Sequence, residues 1–488
     1  MWQSGMIRVG ALAVMMSAGA AGAQTTGEII SKQYDDGSVY EGSYVNGQPE
    51  GIGTYTLPNG YSYSGEWVAG EIRGKGIARY PNGSTYEGLF VKGKPKGVGK
   101  ISFADGGTYE GDWTDGQMTG TGTATYANGA VYKGAFLNGK HHGTGVITDP
   151  TGYRYEGAWV DGLKEGAGKI TYPDGAVYEG NLSKGQRSGK GTLTMPDGLT
   201  YVGDWADGQI NGSGKLTQPN GDVYEGSFAE GLRQGEGRVT FANGDVYTGS
   251  FKADKRHGKG SFTAKDGTAY TGDWVEGRME GAGKLTYADG SSYEGSFKAD
   301  LPDGKGKIAY KDGSSYDGDW KAGAMTGTGT ATYTNGNSYV GAVVDGKPHG
   351  KGAMTYADGF RYDGDWQAGV RQGQAVASWS DGTTYTGTYV NGQREGKGDL
   401  VQPDGFKYSG DWKAGQIEGT GIATYPEGDV YEGSFVAGKR EGQGVLRYSN
   451  GKEAAGLWVK GVLTAPAAPA APAEPAADGA APAADAGN

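Results

Sequence analysis

The sequence lacks cysteine altogether and has only four histidines in 488 residues, which excludes disulfide bonds and cysteine-based metal or redox sites. No apolar run reaches the ~20 residues of a membrane-spanning helix. Basic residues are also in deficit, with 45 Lys and Arg against 56 Asp and Glu and a net charge of −11. Nucleic acids bind basic surfaces, so this balance predicts no nucleic-acid partner.

Glycine is abundant instead, at 98 residues, and it is periodic. Residues 178–200 show one unit of 23 residues, YEGNLSKGQRSGKGTLTMPDGLT, and eighteen such units begin with tyrosine, from Tyr40 to Tyr431. A nineteenth unit has Ala454 in the tyrosine position. With the tyrosine as offset zero, glycine occupies offsets +2, +7, +11, +13 and +20. A fixed period of this length is typical of repeat arrays whose units contact mainly their neighbours.

The repeats divide the chain into four parts. Residues 1–23 have the pattern of a secretory signal peptide, with Arg8, an apolar run and an Ala-Gly-Ala triplet before Gln24. Residues 24–36 form a lead-in without a clear pattern, and residues 37–461 carry the array. Residues 462–488 form a Pro/Ala-rich tail predicted to be disordered. The signal pattern predicts an exported protein of bacterial type, periplasmic or extracellular.

Hydrophobic residues alternate within each unit, which predicts half-buried strands. Gly168, Ile170 and Tyr172 occupy offsets +13, +15 and +17, and the next tyrosine, glycine and aromatic residue follow an Asn/Asp-Gly pair at +19/+20. A two-residue loop would place the aliphatic residues and the tyrosines on opposite faces of the sheet, whereas a three-residue loop places them together. The pattern therefore predicts a type I turn over +18 to +20, closed by a left-handed glycine.

Offsets +5 to +12 are interpreted as a linker between hairpins. Four prolines then lie outside the strands, as prolines usually do: Pro49, Pro95, Pro302 and Pro348. Two strands per unit predict an all-β, elongated array of β-hairpins that advances ~10 Å per repeat.

The repeated form YEGxWxxGxxxGxGxxxxxDGxx resembles the MORN (membrane occupation and recognition nexus) repeat over residues 37–461. The resemblance implies a solenoid made of a twisted, single-layer antiparallel sheet, with a shallow groove lined by aromatic residues. It also implies a scaffold that binds a helix or peptide of a protein partner, or forms a homodimer. Membrane association is attributed to the family as well, but the acidic net charge does not favour it here.

The aromatic row at offsets 0 and +4 is the predicted groove, because a single-layer sheet leaves such a face partly open and open apolar patches mark interaction sites. Packing alone is the other interpretation of this row. The candidate groove residues are Tyr63, Trp67, Tyr109, Trp113, Tyr155, Trp159, Tyr201, Trp205, Tyr270, Trp274, Tyr316, Trp320, Tyr362, Trp366, Tyr408 and Trp412.

Tryptophan at offset +4 occurs in every second unit, which indicates double units of 46 residues. The alternation changes phase near residues 228–251, so that two blocks of double units meet there. Beside this position, Asp254 and Asp300 replace the usual +7 glycine, which predicts a bend or packing irregularity around residues 250–300.

No catalytic, cofactor or metal site is predicted, and the protein is not predicted to be an enzyme. The histidines His141, His142, His257 and His349 fall in the predicted linker, where exposure is expected. The GxG motif at +11/+13 never precedes a predicted helix, as a phosphate-binding loop would. Carboxylates at +1 and +3, such as Glu225, Asp273 and Asp319, could attract Ca²⁺, but a solvated face explains them more simply.

The sequence thus favours a non-enzymatic scaffold whose aromatic groove binds a protein segment or a second copy of the chain. The alternative is an exported module that binds glycans or the cell wall, because rows of Tyr and Trp also stack on sugars. Choline- and glucan-binding repeats of that kind lack the regular GxG motif found here.

Overall fold

The computed structural model describes residues 29–466, and these residues form 39 strands and no helix. The predicted signal peptide and residues 467–488 of the tail lie outside the described residues. The chain divides into two units, with the boundary between His257 and Gly258. Within the described residues, no helix of the length and hydrophobicity needed to cross a membrane is found.

The first unit contains twenty strands and the beginning of the next. They are β1 (Ile29–Gln33), β2 (Val39–Val45), β3 (Gln48–Thr56), β4 (Ser62–Val68), β5 (Glu71–Arg79), β6 (Thr85–Val91), β7 (Lys94–Ser102), β8 (Thr108–Thr114), β9 (Gln117–Thr125), β10 (Val131–Leu137), β11 (Lys140–Thr148), β12 (Arg154–Val160), β13 (Leu163–Thr171), β14 (Val177–Ser183), β15 (Gln186–Thr194), β16 (Thr200–Ala206), β17 (Gln209–Thr217), β18 (Val223–Ala229), β19 (Leu232–Thr240) and β20 (Val246–Lys252).

The boundary falls within β21 (Lys255–Thr263), and the second unit continues from there. Its further strands are β22 (Ala269–Val275), β23 (Arg278–Thr286), β24 (Ser292–Lys298), β25 (Leu301–Ala309), β26 (Ser315–Lys321), β27 (Ala324–Thr332), β28 (Ser338–Val344), β29 (Lys347–Thr355), β30 (Arg361–Gln367), β31 (Val370–Ser378), β32 (Thr384–Val390), β33 (Gln393–Val401), β34 (Lys407–Lys413), β35 (Gln416–Thr424), β36 (Val430–Val436), β37 (Lys439–Arg447), β38 (Glu453–Val459) and β39 (Val462–Pro466).

Successive strands pair antiparallel in each unit, so the predicted all-β hairpin array is confirmed. The turn between β13 and β14 also has the predicted form. The carbonyl of Tyr172 accepts a hydrogen bond from the N–H of Gly175 at 2.9 Å, and the Tyr172 N–H donates to the carbonyl of Ala176 at 2.8 Å. Gly175 has a φ of 89°, which closes the turn in the left-handed region. Ile170 pairs with Tyr178, as the three-residue loop requires.

The predicted linker over offsets +5 to +12 is wrong, because a second tight turn occupies only offsets +6 and +7. Between β12 and β13 these residues are Asp161 and Gly162, with φ angles of 47° and 85°, as in a type I′ turn. The next strand begins at once with Leu163. The four prolines and all four histidines of the predicted linker therefore lie inside strands.

Proline fits at offset +9 because the N–H group at this position points toward the following turn. Where that turn carries an aspartate, the N–H groups of Arg233 and Met279 donate to the carboxylates of Asp254 and Asp300, at 2.9 and 2.7 Å. Replacing the N–H by a proline ring therefore loses no bond to a neighbouring strand at this offset.

Each hairpin also contains a bulge that keeps the aromatic positions on one face. Gly157 pairs with Gly168, but Trp159 pairs with Lys164, so Ala158 faces three residues of β13. Gly166, in the middle of these three, has a φ of 76°. The left-handed glycine at offset +11 absorbs the extra residues, which explains its recurrence.

The turns at Asp254 and Asp300 are regular. Both residues keep a positive φ, of 68° and 70°, and their N–H groups donate to the carbonyls of Arg233 and Met279 at 3.1 Å. Glycines at the same offset do likewise, as Gly162 donates to His141 at 2.9 Å. The two turns themselves are therefore regular, and the bend predicted around residues 250–300 stays a prediction.

Both ends of the array extend beyond the predicted limits. Residues 29–33 of the lead-in form β1, paired with β2. Residues 462–466, predicted to belong to a disordered tail, form β39, paired with β38. β39 forms because one more type I′ turn, at Lys460 and Gly461, connects it to β38, with φ angles of 48° and 87°.

Candidate interaction surface

The tyrosine that begins each repeat lies flat across the two glycines of its own hairpin. The hydroxyl of Tyr155 donates to the carbonyl of Ala158 at 2.7 Å. A methyl group placed on Gly157 would lie 2.5 Å from that hydroxyl, and one on Gly168 would overlap the ring. Glycine at +2 and +13 is therefore the space into which the ring packs, and Tyr155 is fully buried.

The aromatic residue at offset +4 fills the gap between consecutive tyrosines. The ring of Trp159 meets Tyr155 and Tyr132 edge to face, at centroid distances of 5.1 and 5.5 Å. Its Nε1 donates to the carbonyl of Gly145 in the preceding repeat at 3.3 Å. These rings form a row in each unit, interrupted where Leu182 and Val343 occupy offset +4, and the row is the core of the sheet.

Burial corrects the expected accessibility of the predicted groove. The tyrosines of this set are at most 3% exposed and the tryptophans at most 7%. A bound partner would therefore meet the more exposed side chains beside these rings, at offsets +9 and +17. The sixteen residues predicted for the groove are its floor: Tyr63, Trp67, Tyr109, Trp113, Tyr155, Trp159, Tyr201, Trp205, Tyr270, Trp274, Tyr316, Trp320, Tyr362, Trp366, Tyr408 and Trp412.

Residues at offset +9 cover the floor from one side. The guanidinium carbon of Arg394 lies 4.0 Å from the ring centroid of Trp412, and its Nη2 donates to the carbonyl of Gly415 at 2.8 Å. Arg187 stands over Trp205 in the same way, at 4.1 Å, in the first unit. Each arginine is held between an indole and the next type I′ turn, which fixes a positive charge at the surface of an aromatic row.

A second row of aromatic residues, at offset +17, is accessible. Tyr80, Phe103, Tyr126, Tyr172, Phe241, Tyr287, Tyr310, Tyr333, Tyr356, Trp379, Tyr425 and Tyr448 are half-buried or exposed. Some of them pair with an aromatic residue at offset +21: Phe360 lies 5.3 Å from Tyr356 and 5.0 Å from Trp379. The sequence shows that offset +17 is usually aromatic. The alternation places it on the same face as the buried rings, however, so its greater exposure was not predicted.

Two pockets mark the surface between the +9 and +17 rows. In the first unit, a pocket of about 450 Å³ is lined by Phe103 and Tyr126 at +17, Met118 and His141 at +9, and the turn glycine Gly139. In the second unit, a pocket of about 540 Å³ has Trp379 at +17, Arg394 and Ile417 at +9, and the turn glycines Gly415 and Gly438. We call the surface formed by offsets +9 and +17, above the aromatic floor, the outer groove.

His141 belongs to the outer groove and is not an exposed loop residue. Its ring stacks on Tyr132 at a centroid distance of 3.6 Å, and its Nε2 lies 2.5 Å from the hydroxyl of Tyr126. Burial lowers the pKa of His141 to about 4, so the ring is neutral at neutral pH. His141 therefore acts as a flat, uncharged wall of the pocket.

The other three histidines share offset +10, which has a structural role. In many repeats the side chain at +10 accepts a hydrogen bond from the N–H at +6 of the following turn. Glu165 accepts from Lys184 at 2.7 Å, and Nδ1 of His349 accepts from Ala368 at 3.4 Å. His349 thus substitutes for Glu or Gln as an acceptor, whereas the buried Nδ1 atoms of His142 and His257 have no hydrogen-bond partner.

The opposite face of the sheet carries paired charges. Lys215 contacts Glu225 at 2.8 Å, Lys259 contacts Asp273 at 2.6 Å, and Lys305 contacts Asp319 at 2.5 Å. Hydrogen bonds from Lys305 and Thr328 lower the pKa of Asp319 to about 2. The carboxylates considered for Ca²⁺ are thus engaged with lysine, and residues 29–466 contain no cluster of three metal-ligating side chains.

A scan against protein-family models matches the MORN repeat at eighteen segments. They are residues 40–60, 63–85, 86–108, 109–131, 132–152, 155–177, 178–200, 201–223, 224–246, 247–269, 270–292, 293–315, 316–338, 339–361, 362–384, 385–406, 408–430 and 431–453. A search of curated proteins finds no match.

Among solved structures, the TCP domain of SAS-4 (dCPAP) from Drosophila melanogaster, in complex with a proline-rich motif of Ana2, is similar at 16% identity. The match covers 36% of this chain and 85% of that chain, with a TM-score of 0.20. A mutant TCP10 domain of CPAP from Danio rerio matches at 14% identity, covering 55% of this chain and 97% of that one, with a TM-score of 0.11. At these TM-scores we draw no conclusion about function from either structure.

Proposed function

The chain belongs to the MORN repeat family, and from that premise we propose that it is a non-enzymatic scaffold whose outer groove binds an extended segment of a partner protein. The observation that carries this proposal is the recurrence of one kind of pocket, with the same offsets, in both units. A surface that repeats with the backbone suits a ligand that runs along several repeats.

The chemistry of the outer groove favours an extended segment with apolar or proline residues and acidic side chains. Half-buried rings such as Trp379 and Tyr425 offer flat apolar faces on which proline and aliphatic residues pack. The guanidinium groups of Arg394 and Arg440, 4.0 and 4.3 Å from the indole centroids beneath them, supply positive charge beside those rings. The groove is thus locally basic although the chain as a whole is acidic, which favours partner segments with acidic side chains.

We also propose that the scaffold acts outside the cytoplasm, on the basis of the signal-peptide pattern in residues 1–23. Mass spectrometry of the protein recovered from the expressing cell should then give a mature chain that begins at Gln24. A mature chain that retains residues 1–23 would remove the support for export.

The groove proposal can be tested with labelled peptides of about twelve residues, which span roughly 40 Å when extended. We expect an acidic, proline-containing peptide to bind the full chain. The double substitution Trp379→Ala and Tyr425→Ala should weaken this binding at least about tenfold, since each removes a ring from the groove. The control is Val376→Ala, which changes a side chain 48% exposed on the opposite face of the strand that precedes Trp379.

Two outcomes would contradict the groove proposal. One is binding that is equally weak in the parent chain and the double variant. The other is co-sedimentation of the parent chain with isolated cell wall that is lost in the double variant, without any peptide binding. That second result would favour the glycan-binding alternative.

A further inference from the structure

The outer groove carries one accessible ring in each of the last four complete repeats. Tyr448 is 38% exposed, and the ring centroid of Phe406 lies 5.7 Å from that of Tyr425. We call these rings the terminal aromatic row, because together they offer a ligand one flat apolar contact per repeat. The row consists of Trp379, Tyr425 and Tyr448 at offset +17, and of Phe406 at +21 in the repeat where Gln402 occupies +17.

Three arginines at offset +9 accompany the terminal aromatic row: Arg371, Arg394 and Arg440. The guanidinium carbon of Arg440, for example, lies 5.8 Å from the ring centroid of Tyr425. Among the described residues that line the pocket at Trp379, Asp381 is the only carboxylate, and it accepts an N–H of its own turn at 2.8 Å. This end of the outer groove therefore offers positive charge to an acidic ligand.

The described array ends at this part of the groove. Pro466, the last residue of β39, is at offset +12, between the offsets +9 and +17 that form the outer groove. Residues 467–488 follow in the sequence and lie outside the described residues. In an extended conformation of ~3.1 Å per residue, a segment of this length spans ~68 Å. Four repeats span only ~38 Å, so the segment is long enough to reach every ring of the terminal aromatic row.

The composition of residues 467–488 matches the ligand that the outer groove favours. The segment contains no lysine, arginine or aromatic residue, and its charged side chains are all acidic: Glu474, Asp478 and Asp485. Its remaining residues are mainly alanine and proline. Continuing from the end of β39, proline occurs at every third position: Pro466, Pro469, Pro472 and Pro475.

This spacing of the prolines matches the spacing of the rings. A polyproline II helix has three residues per turn and rises ~3.1 Å per residue, so prolines three positions apart lie on one edge, ~9.3 Å from each other. Two strands per repeat, ~4.8 Å apart, separate the rings of successive repeats by ~9.6 Å. The difference accumulates to only ~1 Å over three repeats, which is less than the width of a ring.

We propose that residues 467–478 of the chain's own tail bind along the terminal aromatic row, in polyproline II conformation and running back toward the N-terminus of the array. Pro469, Pro472 and Pro475 pack on the rings of the last three complete repeats, one proline per repeat. Glu474 and Asp478 then reach the repeats that carry Arg394 and Arg371. The inference rests on the proposed function of the outer groove, and it means that a partner segment must displace the tail to bind there.

The absence of native cysteine allows the tail to be located in the full-length chain. One variant combines Ala476→Cys in the tail with Gln402→Cys, which replaces a residue that lines the pocket at Trp379. The matched control combines Ala476→Cys with Val401→Cys, the preceding position, whose side chain is 41% exposed on the opposite face of the strand. A tail that binds neither face reaches both strand positions to a similar extent.

We expect the Gln402→Cys pair to form a disulfide within one chain at least about tenfold faster than the control pair, because only this pair is brought together by the groove. Both rates are normalised to the reaction of each thiol with a small disulfide reagent. Adding Pro469→Gly, Pro472→Gly and Pro475→Gly should remove the difference, since glycine neither favours polyproline II nor packs on a ring. Equal rates with the prolines intact, or disulfides that form mainly between chains, would overturn the inference.

Peptide binding separates this inference from the proposed function of the groove. A labelled peptide with the sequence of residues 467–478 is added to the full-length parent and to the chain with the three proline substitutions. We expect the substituted chain to bind it at least about threefold more tightly, because its own tail no longer competes at high effective concentration. Pro482→Gly, outside the three-residue spacing, is the control and should leave binding at the parent level.

Equal binding of the peptide by the parent and the substituted chain would overturn the inference and leave the proposed function in place. Binding by neither chain would contradict the proposed function and the inference together.

Discussion

At the scale of single residues, tyrosine and glycine act as one unit in each repeat. The ring of Tyr155 occupies the space that side chains on Gly157 and Gly168 would fill, and the ring is in turn the cover that buries this part of the sheet. The exception at offset +13 is Ala375, opposite Gly364, and Tyr362 above it remains fully buried. The array therefore tolerates one methyl group at this offset, at some cost in packing.

We predict that Gly168→Ala lowers the free energy of unfolding by about 1–3 kcal/mol, because the added methyl group overlaps the ring of Tyr155. Thermal or denaturant unfolding would measure the change. The matched control is Lys169→Ala, the next residue of the same strand, whose exposed ion pair with Glu179 at 3.7 Å contributes little. Equal effects of the two substitutions would show that the ring does not pack against Gly168.

The buried tyrosines also predict alkaline unfolding. Burial raises the pKa of Tyr155, Tyr178 and Tyr201 to about 12, above the value of about 10 for an unfolded chain. A raised pKa means that the folded state holds the proton more tightly, so this contribution to stability is complete below about pH 10. It is lost as the pH rises through about 12.

We therefore expect tyrosinate absorbance to rise between about pH 10 and 12, and the circular dichroism signal of the folded sheet to fall over the same range. In denaturant, the same tyrosines should ionise near pH 10 in a broad, independent titration. Ionisation of most tyrosines at about pH 10 in the folded protein would contradict their burial.

At the scale of strands and turns, one of the two turns of each repeat was predictable and the other was missed. The alternation around Ile170 and Tyr178 fixed the three-residue turn and its register, because a shift by one residue would expose one of the two. The type I′ turn was missed although Asn46-Gly47 and Asp161-Gly162 carry the same hairpin signal. Ala69 and Lys92 hide this signal in other repeats, because they adopt a positive φ only in the folded sheet.

The predicted groove was likewise correct in one respect and missed in another. Periodicity placed Tyr155 and Trp159 on one face, and that placement was correct. Whether the face is open depends on the ring lying flat over glycine and on the side chain at +9 crossing into the next repeat, as Arg187 does over Trp205. Both contacts depend on side-chain conformation, which alternation in the sequence does not specify.

The turn at Asp300 gives a prediction at this scale. Asp300 has a φ of 70°, and its carboxylate accepts the N–H of Met279 at 2.7 Å. Asp300→Gly removes that hydrogen bond but also removes the backbone strain of the turn. We expect the free energy of unfolding of this variant to stay within about 1 kcal/mol of the parent chain.

Asp300→Val, in contrast, should lower the free energy of unfolding by more than about 2 kcal/mol, because a β-branched residue is strained at this φ and cannot accept the bond. Denaturant unfolding of the two variants gives the comparison within one site. Similar stability of both variants would mean that the turn does not require a positive φ.

At the scale of the whole molecule, the 46-residue double unit organises both faces of the sheet. In the second unit, Lys259, Lys305, Lys351 and Lys397 follow one another at intervals of 46 residues, and each contacts an aspartate at offset +3 of the next repeat. That repeat also carries the tryptophan whose Nε1 donates to the preceding repeat, as Trp320 does to Gly306 at 2.8 Å. A repeat of one type is thus matched to a neighbour of the other type.

This matching predicts that a longer deletion is tolerated better than a shorter one. Removing residues 316–361 would bring Lys305 and Gly306 opposite Asp365 and Trp366, partners of the same kind as Asp319 and Trp320. Removing only residues 316–338 would bring them opposite Ala342 and Val343, which offer neither the ion pair nor the indole N–H. Both deletions remove Trp320, but only the shorter one leaves the Gly306 carbonyl and the Tyr293 ring without an indole, which costs about 2 kcal/mol at this contact.

Denaturant midpoints of the parent chain and the two deletion variants would test this prediction. We expect the chain that lacks 46 residues to keep a midpoint close to that of the parent, since units of a repeat array are stabilised mainly by their nearest neighbours. The chain that lacks 23 residues should unfold at a lower denaturant concentration, although it is the longer of the two. If stability instead fell in proportion to the number of residues removed, the 23-residue repeats would be interchangeable and the double unit would have no energetic meaning.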